Sequence, residues 1–80
     1  MFYSYILKSL LNSKHYYGHT ANLEKRLLTH NAGRVRYTKA YRPWEIIFTE
    51  MFPTKAEAFK REQFYKSIEG YKFLKEKGII

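Results

Sequence analysis

The residue types that could carry out chemistry gather around one short stretch, Tyr16–Thr20, and the basic helix that follows it. A strand with Tyr16 near its end, a glycine at position 18 where the backbone must turn, and a helix with Arg26 and His30 at i and i+4 would bring a phenol, a guanidinium and an imidazole together. These groups bind phosphate and move protons beside it. The stretch therefore predicts a site that handles phosphate.

A second candidate is a carboxylate on a later helix. The capping box that starts at Thr54 begins a helix that runs towards Ser67. At about 100° per residue, Glu62 falls inside the apolar arc of this helix, where a carboxylate costs free energy unless it is paired. Glu62 is therefore either a site residue or half of an ion pair with Arg26 or Lys66. The apolar arc consists of Ala58, Phe59, Tyr65 and Ile68.

Three strands are predicted to position the first group. Phe2–Leu7 is almost continuously apolar, which predicts a central strand covered on both faces. The turn-prone pair Asn12-Ser13 lets Lys14–Gly18 return antiparallel, with Tyr5 and Tyr16 on one face. The third strand is predicted at Trp44–Met51.

The helix after the hairpin has two possible caps, Thr20 and Asn22, of which we choose Asn22, and Gly33 is placed to end it. Leu23 and Leu27 form its buried stripe.

After the second helix, Gly70 is expected to interrupt the chain before a short helix at Tyr71–Lys77, with Gly78 as its C-terminal cap. The order β-β-α-β-α-α indicates an α+β domain with one layer of helices on a small mixed or antiparallel sheet.

Composition limits the partners. The 80 residues carry a formal net charge of +8 and include 8 Tyr, 6 Phe and no Cys, so the prediction is one domain held by aromatic packing rather than disulfides. The charge favours nucleic acid, with a membrane surface as the rival. No signal peptide or membrane span is evident, so we expect a soluble, cytoplasmic protein that binds no membrane.

The basic segment Arg34–Arg42 has no helical or strand period and is expected to be a surface loop that follows a phosphate backbone. Its aromatic members, Tyr37 or Tyr41, are candidates for stacking on an unpaired base. Its candidate cations are Arg34, Arg36, Lys39 and Arg42, with Lys72, Lys75 and Lys77 of the last helix beside them.

Taken together, the motif residues resemble the GIY-YIG nuclease superfamily, and within it the small single-domain bacterial members of unassigned role. The likeness rests on Tyr3-Ser4-Tyr5, Tyr16-Tyr17-Gly18, Arg26, His30 and Glu62. It implies a three-stranded antiparallel sheet flanked by helices, one nuclease domain over residues 1–80, and hydrolysis of DNA with one divalent ion, Mg²⁺ or Mn²⁺. Tyr3, Ser4 and Tyr17 depart from the motif, which predicts altered strand packing rather than altered chemistry.

The same resemblance implies a catalytic set of Tyr5, Tyr16, Arg26, His30 and Glu62. Glu62 would bind the metal ion, since hard cations prefer carboxylate and keep several waters. Arg26 would clamp the phosphate. Tyr16 could take the proton from the attacking water, with Tyr5 or His30 orienting or relaying it, and the identity of the base stays open at this point.

Two functions follow. The first is an endonuclease acting on DNA rather than RNA, in branched, damaged or single-stranded form, with DNA repair as the expected setting. The second is a nucleic-acid-binding module on the same scaffold with little or no turnover, since one unit of 80 residues offers little surface for choosing a sequence. Taken singly, Tyr5 and Tyr16 are also plausible core aromatics and Arg26 a solvated cation. The oligomeric state is open, and a dimer is compatible with the exposed aromatics.

Overall fold

The computed structural model describes residues 1–80 and contains three strands, three α-helices and one 3-10 turn. Their order is the predicted one, with bounds that differ by a few residues. The elements are β1 (Phe2–Ser9), β2 (His15–Thr20), α1 (Leu23–Asn31), the 3-10 turn (Lys39–Tyr41), β3 (Trp44–Phe52), α2 (Lys55–Tyr65) and α3 (Ile68–Glu76).

The sheet is antiparallel throughout, with the strand order β2-β1-β3. β1 is central, as its continuous apolar character predicts. In the hairpin register Tyr5 lies opposite Gly18 and Leu7 opposite Tyr16, so these four residues share one face of the sheet. The prediction that Tyr5 and Tyr16 lie on the same face is confirmed.

The helices cover both faces of the sheet, so the expectation of one helical layer is wrong. On the first face, Leu23 and Leu27 of α1 pack against a core that contains Tyr5 and Leu7. On the second face, α2 and α3 pack against Ile6. Because β1 is apolar on both sides, one layer of helices would have left half of it exposed.

Two helix ends follow the sequence signals. The Asn22 side chain accepts a hydrogen bond from Lys25 N (3.0 Å), which confirms it as the cap of α1. Gly33, with φ of 78°, ends α1, and its N–H donates to the His30 carbonyl (3.1 Å). α1 therefore ends one residue after His30, at Asn31.

The prediction that Gly70 interrupts the chain is wrong. Gly70 lies inside α3, which begins earlier because the Ser67 side chain accepts from Gly70 N (3.0 Å). A Cβ at position 70 would overlap the Phe64 carbonyl, so glycine is needed there for the close approach of α2. Ile68 consequently belongs to α3 and is 77% exposed, outside the apolar arc predicted for α2.

The segment 34–42 is more structured than the predicted surface loop. Its cations are exposed, as expected, but Thr38 is fully buried and Tyr41 packs against the core of the first face. The Tyr41 carbonyl accepts a hydrogen bond from Ser9 Oγ (2.6 Å), which ties the segment to β1. Thr38 and Tyr41 thus anchor a basic strap on the sheet.

Two of the three departures from the motif, Ser4 and Tyr17, lie on the second face. Ser4 is buried, and its Oγ lies 2.6 Å from the Tyr65 hydroxyl, which donates to Glu50 Oε1 (2.6 Å). Arg61 donates to both oxygens of Glu50 (2.7 and 3.3 Å). Tyr17 packs on Tyr65, with ring centroids 6.0 Å apart. Ser4 and Tyr17 therefore take part in the packing on the face opposite Tyr5, whereas Tyr3 lies on the same face as Tyr5.

No helix in the structure is both long enough and apolar enough to cross a membrane.

Candidate active site

The Tyr5 hydroxyl is the centre of a polar cluster on the first face. Tyr5 is 2% exposed, and its phenol lies directly over Gly18 of β2. The expectation that the backbone turns at Gly18 is wrong, because Gly18 lies inside β2. A Cβ at position 18 would overlap the hydroxyl, so the glycine of the second motif tripeptide makes room for the tyrosine of the first. The two tripeptides are therefore one structural unit.

α1 supplies the two partners of this hydroxyl. Arg26 Nε donates to the Tyr5 oxygen (3.3 Å), and His30 Nε2 lies 3.0 Å from the same oxygen. Arg26 also lines a small polar cleft of about 150 Å³ that opens to solvent beside Lys25 and Thr29. A phosphate can approach the guanidinium from this side.

The hydrogen bonds of the cluster run in one direction. The Thr38 hydroxyl donates to the Val35 carbonyl (3.3 Å), so it accepts from His30 Nδ1–H (2.8 Å). His30 Nε2 is then unprotonated and accepts the Tyr5 proton, while the Tyr5 oxygen accepts from Arg26. The Tyr5 hydroxyl therefore donates its proton to His30 and accepts a hydrogen bond from Arg26.

Protonation states fit this direction. Burial lowers the pKa of His30 to about 4, with the charge of Arg26 adding to the effect, so the ring is neutral at pH 7. Burial raises the pKa of Tyr5 to about 12, against the opposing hydrogen bond from Arg26. The Tyr5 hydrogen bond raises the pKa of Arg26 above its usual value. At pH 7 the cluster holds one positive charge, on Arg26.

Sequence reasoning missed Thr38. Its hydroxyl fixes the tautomer of His30, yet it lies in the strap between Tyr37 and Lys39, where nothing in the local pattern marks it as buried. Only the packing of the strap on α1 brings it to the imidazole.

Tyr16 lies beside the cluster. Its ring packs against other aromatic rings, and the residue is half-buried. Its ring centroid lies 4.8 Å from that of His30, 5.7 Å from that of Tyr37 and 6.5 Å from that of Trp44. Its hydroxyl also contributes to the raised pKa of Arg26, after the larger effect of Tyr5. The structure thus brings together four of the five predicted site residues.

Glu62 lies on the second face and does not pair with Arg26. Its Oε1 is 2.7 Å from His19 Nδ1 and its Oε2 is 2.8 Å from Lys66 Nζ. Of the two ion pairs considered from the sequence, the structure forms the one with Lys66. The expectation that Glu62 meets Arg26 directly is corrected, because α2 packs on the face of the sheet opposite α1.

His19 was also missed as a partner of Glu62. It follows Gly18 in β2, and the alternation of a strand sends its side chain to the face opposite Tyr5. That alternation was readable from the sequence, but the assignment of α2 to this face was not.

The two faces meet at the open edge of β2. Burial is the main cause of the raised pKa of Tyr5, and among the smaller causes that raise it are Tyr16 and then Glu62. A cleft of about 380 Å³ runs along this edge. Its lining residues are His15, Tyr16, Tyr17, Tyr37 and Lys66.

The donor chemistry of Glu62 fits one hard divalent ion. Mg²⁺ and Mn²⁺ take carboxylate oxygen and keep several waters, so one protein ligand suffices. Each oxygen of Glu62 accepts one hydrogen bond and has a further lone pair, and the side chain is 11% exposed. Lys66 is 48% exposed and can swing away from Oε2 at small cost. Nowhere do three His, Asp or Glu side chains come together.

The cations of the basic strap differ in their surroundings. Arg34, Arg36 and Lys39 are exposed, and none of them forms a salt bridge. The Arg42 guanidinium instead lies against Gly33 at the C-terminal end of α1, where a cation complements the helix dipole. Arg42 therefore packs at the end of α1 and also adds positive charge to the surface.

The sheet order, the two tyrosines on one face of the hairpin and the arginine and histidine of α1 define a GIY-YIG domain. The family model described as the GIY-YIG catalytic domain matches residues 1–72, and the chain belongs to this family. The match covers β1 through the first half of α3 and includes all five predicted site residues.

Within the family, this chain is similar to small bacterial UPF0213 proteins. A UPF0213 protein of Staphylococcus haemolyticus is 45% identical over 74 residues, covering 91% of this chain and 89% of that protein. One of Listeria innocua is 43% identical over 65 residues, covering 80% and 71%. The solution NMR structure of a UPF0213 protein from Bacillus halodurans superimposes with a TM-score of 0.54 at 30% identity, covering 95% and 84%. The names of these relatives state no activity.

Proposed function

We propose that this chain is a divalent-metal-dependent endonuclease that hydrolyses phosphodiester bonds in DNA, with residues 1–80 acting as one nuclease domain. The observation that carries the proposal is the directed hydrogen-bond chain from Arg26 through Tyr5 to His30, beside the half-exposed Tyr16. A family of nucleases supplies the reaction class.

In this proposal Arg26 binds the scissile phosphate. Its Nε is held by Tyr5, which leaves the two terminal nitrogens of the guanidinium to donate to phosphoryl oxygens. The raised pKa keeps this charge at any physiological pH. Tyr5 and His30 then act as positioning residues, because Tyr5 holds the guanidinium and His30 holds the Tyr5 hydroxyl, and neither exchanges a proton with substrate.

Tyr16 is the group best suited to orient the attacking water and accept its proton. The proton of Tyr5 is committed to His30, and its raised pKa makes the phenolate rare. His30 is buried and already engaged at both nitrogens. Tyr16 alone among the three has a hydroxyl beside the open cleft.

Glu62 is the residue proposed to hold the metal ion at the edge of β2. The chemistry that a bound Mg²⁺ or Mn²⁺ supplies is charge neutralisation on the phosphoryl and leaving oxygens. Lys66 and the exposed strap cations would hold the flanking phosphates.

The proposed substrate is DNA in branched, damaged or single-stranded form. The test is cleavage of end-labelled DNAs of these forms with Mg²⁺ or Mn²⁺, by wild-type protein and by Glu62→Ala. We expect metal-dependent products from the wild type and a loss of at least about 100-fold in the variant. Equal cleavage by both proteins would contradict the assignment.

One observation favours a second function, a nucleic-acid-binding module with little turnover. Each oxygen of Glu62 already has one partner, His19 or Lys66, and a metal ion would have to compete with the Lys66 ammonium. Such a module would bind DNA with steep salt dependence and yield no product at any metal concentration.

A further inference from the structure

The cleft along the open edge of β2 is lined by Tyr16, which the proposed reaction uses, and by His15, Tyr17 and Tyr37, to which that reaction assigns no role. Three tyrosines, one histidine and one lysine line the cleft. Its volume of about 380 Å³ is near the lower end of the range for small-ligand pockets. A single planar group, rather than a large ligand, matches this size.

Tyr37 offers a ring that is already in place for stacking. It is 59% exposed, yet one side packs on Tyr16 with ring centroids 5.7 Å apart and ring planes 38° apart. Tyr16 is in turn wedged against His30 and Trp44, and Thr38, next in sequence, is anchored by His30. Little side-chain entropy is lost when another ring covers the exposed side of Tyr37.

Positive charge flanks the aromatic walls. Lys66 Nζ is held at 2.8 Å from Glu62, and the side chain is 48% exposed. Arg36 and Lys39, on either side of Tyr37 in the strap, are exposed and unpaired. Aromatic faces between cations are the usual arrangement for unpaired nucleotides.

We infer that this cleft binds one unpaired nucleobase of the DNA strand being cut, next to the phosphate held by Arg26. The inference rests on the proposed function and names its substrate class, DNA with a single-stranded stretch at the cleavage site. In an intact duplex both faces of a base are covered by its neighbours, and extruding the base costs a few kcal/mol. Single-stranded and branched DNA present the base without that cost.

The test measures binding without cleavage, in buffer with EDTA. A short thymidine oligonucleotide carries one 2-aminopurine, whose fluorescence is quenched when it stacks on an aromatic ring. We expect wild type and Tyr37→Phe to quench the probe and bind with similar affinity. We expect Tyr37→Ala to bind about tenfold more weakly with little quenching, since one base–aromatic stack is lost.

Tyr71→Ala is the matched control. Tyr71 is 53% exposed, has Lys75 5.6 Å from its ring and does not line the cleft. The Tyr71→Ala variant should bind the oligonucleotide with the affinity of the wild type. For duplex DNA of the same sequence, Tyr37→Ala should change affinity by less than about twofold.

Equal losses in Tyr37→Ala and Tyr71→Ala, or a loss in Tyr37→Ala that is as large on duplex DNA, would overturn the subsite while leaving the nuclease proposal intact. Equal affinity for the free 2-aminopurine nucleoside would also overturn it, since the cleft would then be a nucleoside site. Absence of both DNA binding and cleavage in the wild type would overturn the proposed function and the subsite together.

Discussion

The phenol of Tyr5 occupies the space that a side chain at position 18 would fill. β1 and β2 place the two residues opposite each other, and the hydroxyl extends over Gly18 to reach Arg26 and His30. The glycine therefore sets the position of the hydroxyl on which both α1 side chains converge.

Gly18→Ala should move this hydroxyl and slow cleavage at least tenfold, because the added methyl group overlaps the phenol. Single-turnover rates of Gly18→Ala, Tyr5→Phe and the double variant check the mechanism. If both changes act through the Tyr5 hydroxyl, the double variant should be no slower than the slower single variant. A rate loss in the double variant equal to the product of the two single losses would contradict this mechanism.

His30 should make stability depend on pH. Its pKa is about 4 in the folded protein against 6.5 in the unfolded chain, so below pH 6.5 the unfolded state binds the extra proton. Its contribution is complete above pH 6.5 and is lost as pH falls through about 4, a total of about 3 kcal/mol. Urea unfolding of wild type and His30→Gln from pH 7.5 to 3.5 measures the difference. Parallel pH profiles for the two proteins would contradict this prediction.

Lys66→Met should bind Mn²⁺ more tightly, because the ammonium competes with the ion for Glu62 Oε2. An exposed ion pair stabilises its partners by up to about 1 kcal/mol, so its removal should raise the affinity for Mn²⁺ by up to roughly fivefold. Calorimetric titration with Mn²⁺ measures it, with Lys72→Met as the control, since Lys72 is exposed and has no acidic partner. Unchanged or weaker Mn²⁺ binding by Lys66→Met would count against Glu62 as the ligand.

Tyr65→Phe should lower the stability of the fold without changing the cleavage rate. It leaves the buried Ser4 hydroxyl without its partner and removes a hydrogen bond to Glu50, at a cost of about 1–3 kcal/mol. Thermal unfolding and cleavage rate are measured on the same preparation, with Tyr71→Phe as the exposed control. Cleavage should stay within about twofold of wild type. A large rate loss at wild-type stability would contradict this prediction, because the Ser4–Tyr65–Glu50 network would then take part in the reaction.

The sequence was sufficient for those features that depend on local signals. The Asn22 cap, the central β1 and the shared face of Tyr5 and Tyr16 follow from side-chain capping, continuous apolar character and strand alternation. These patterns need only neighbours in the chain.

The features that the sequence did not reveal depend on contacts between distant segments. Whether α2 covers the same face as α1 decides the partner of Glu62, and no local pattern encodes that choice. Thr38 is buried because the strap packs on α1, and Gly70 lies inside a helix because α2 ends beside it. Each is a long-range packing effect that overrides a correct local tendency.

The central claim is that the Arg26 guanidinium, held by Tyr5, stabilises the phosphate as it is cut. The most direct measurement is the single-turnover cleavage rate at saturating DNA for Arg26→Ala and for Lys25→Ala, its exposed neighbour on α1. The account predicts a loss of at least about 100-fold for Arg26→Ala and less than about threefold for Lys25→Ala. Equal rates for the two variants would contradict it.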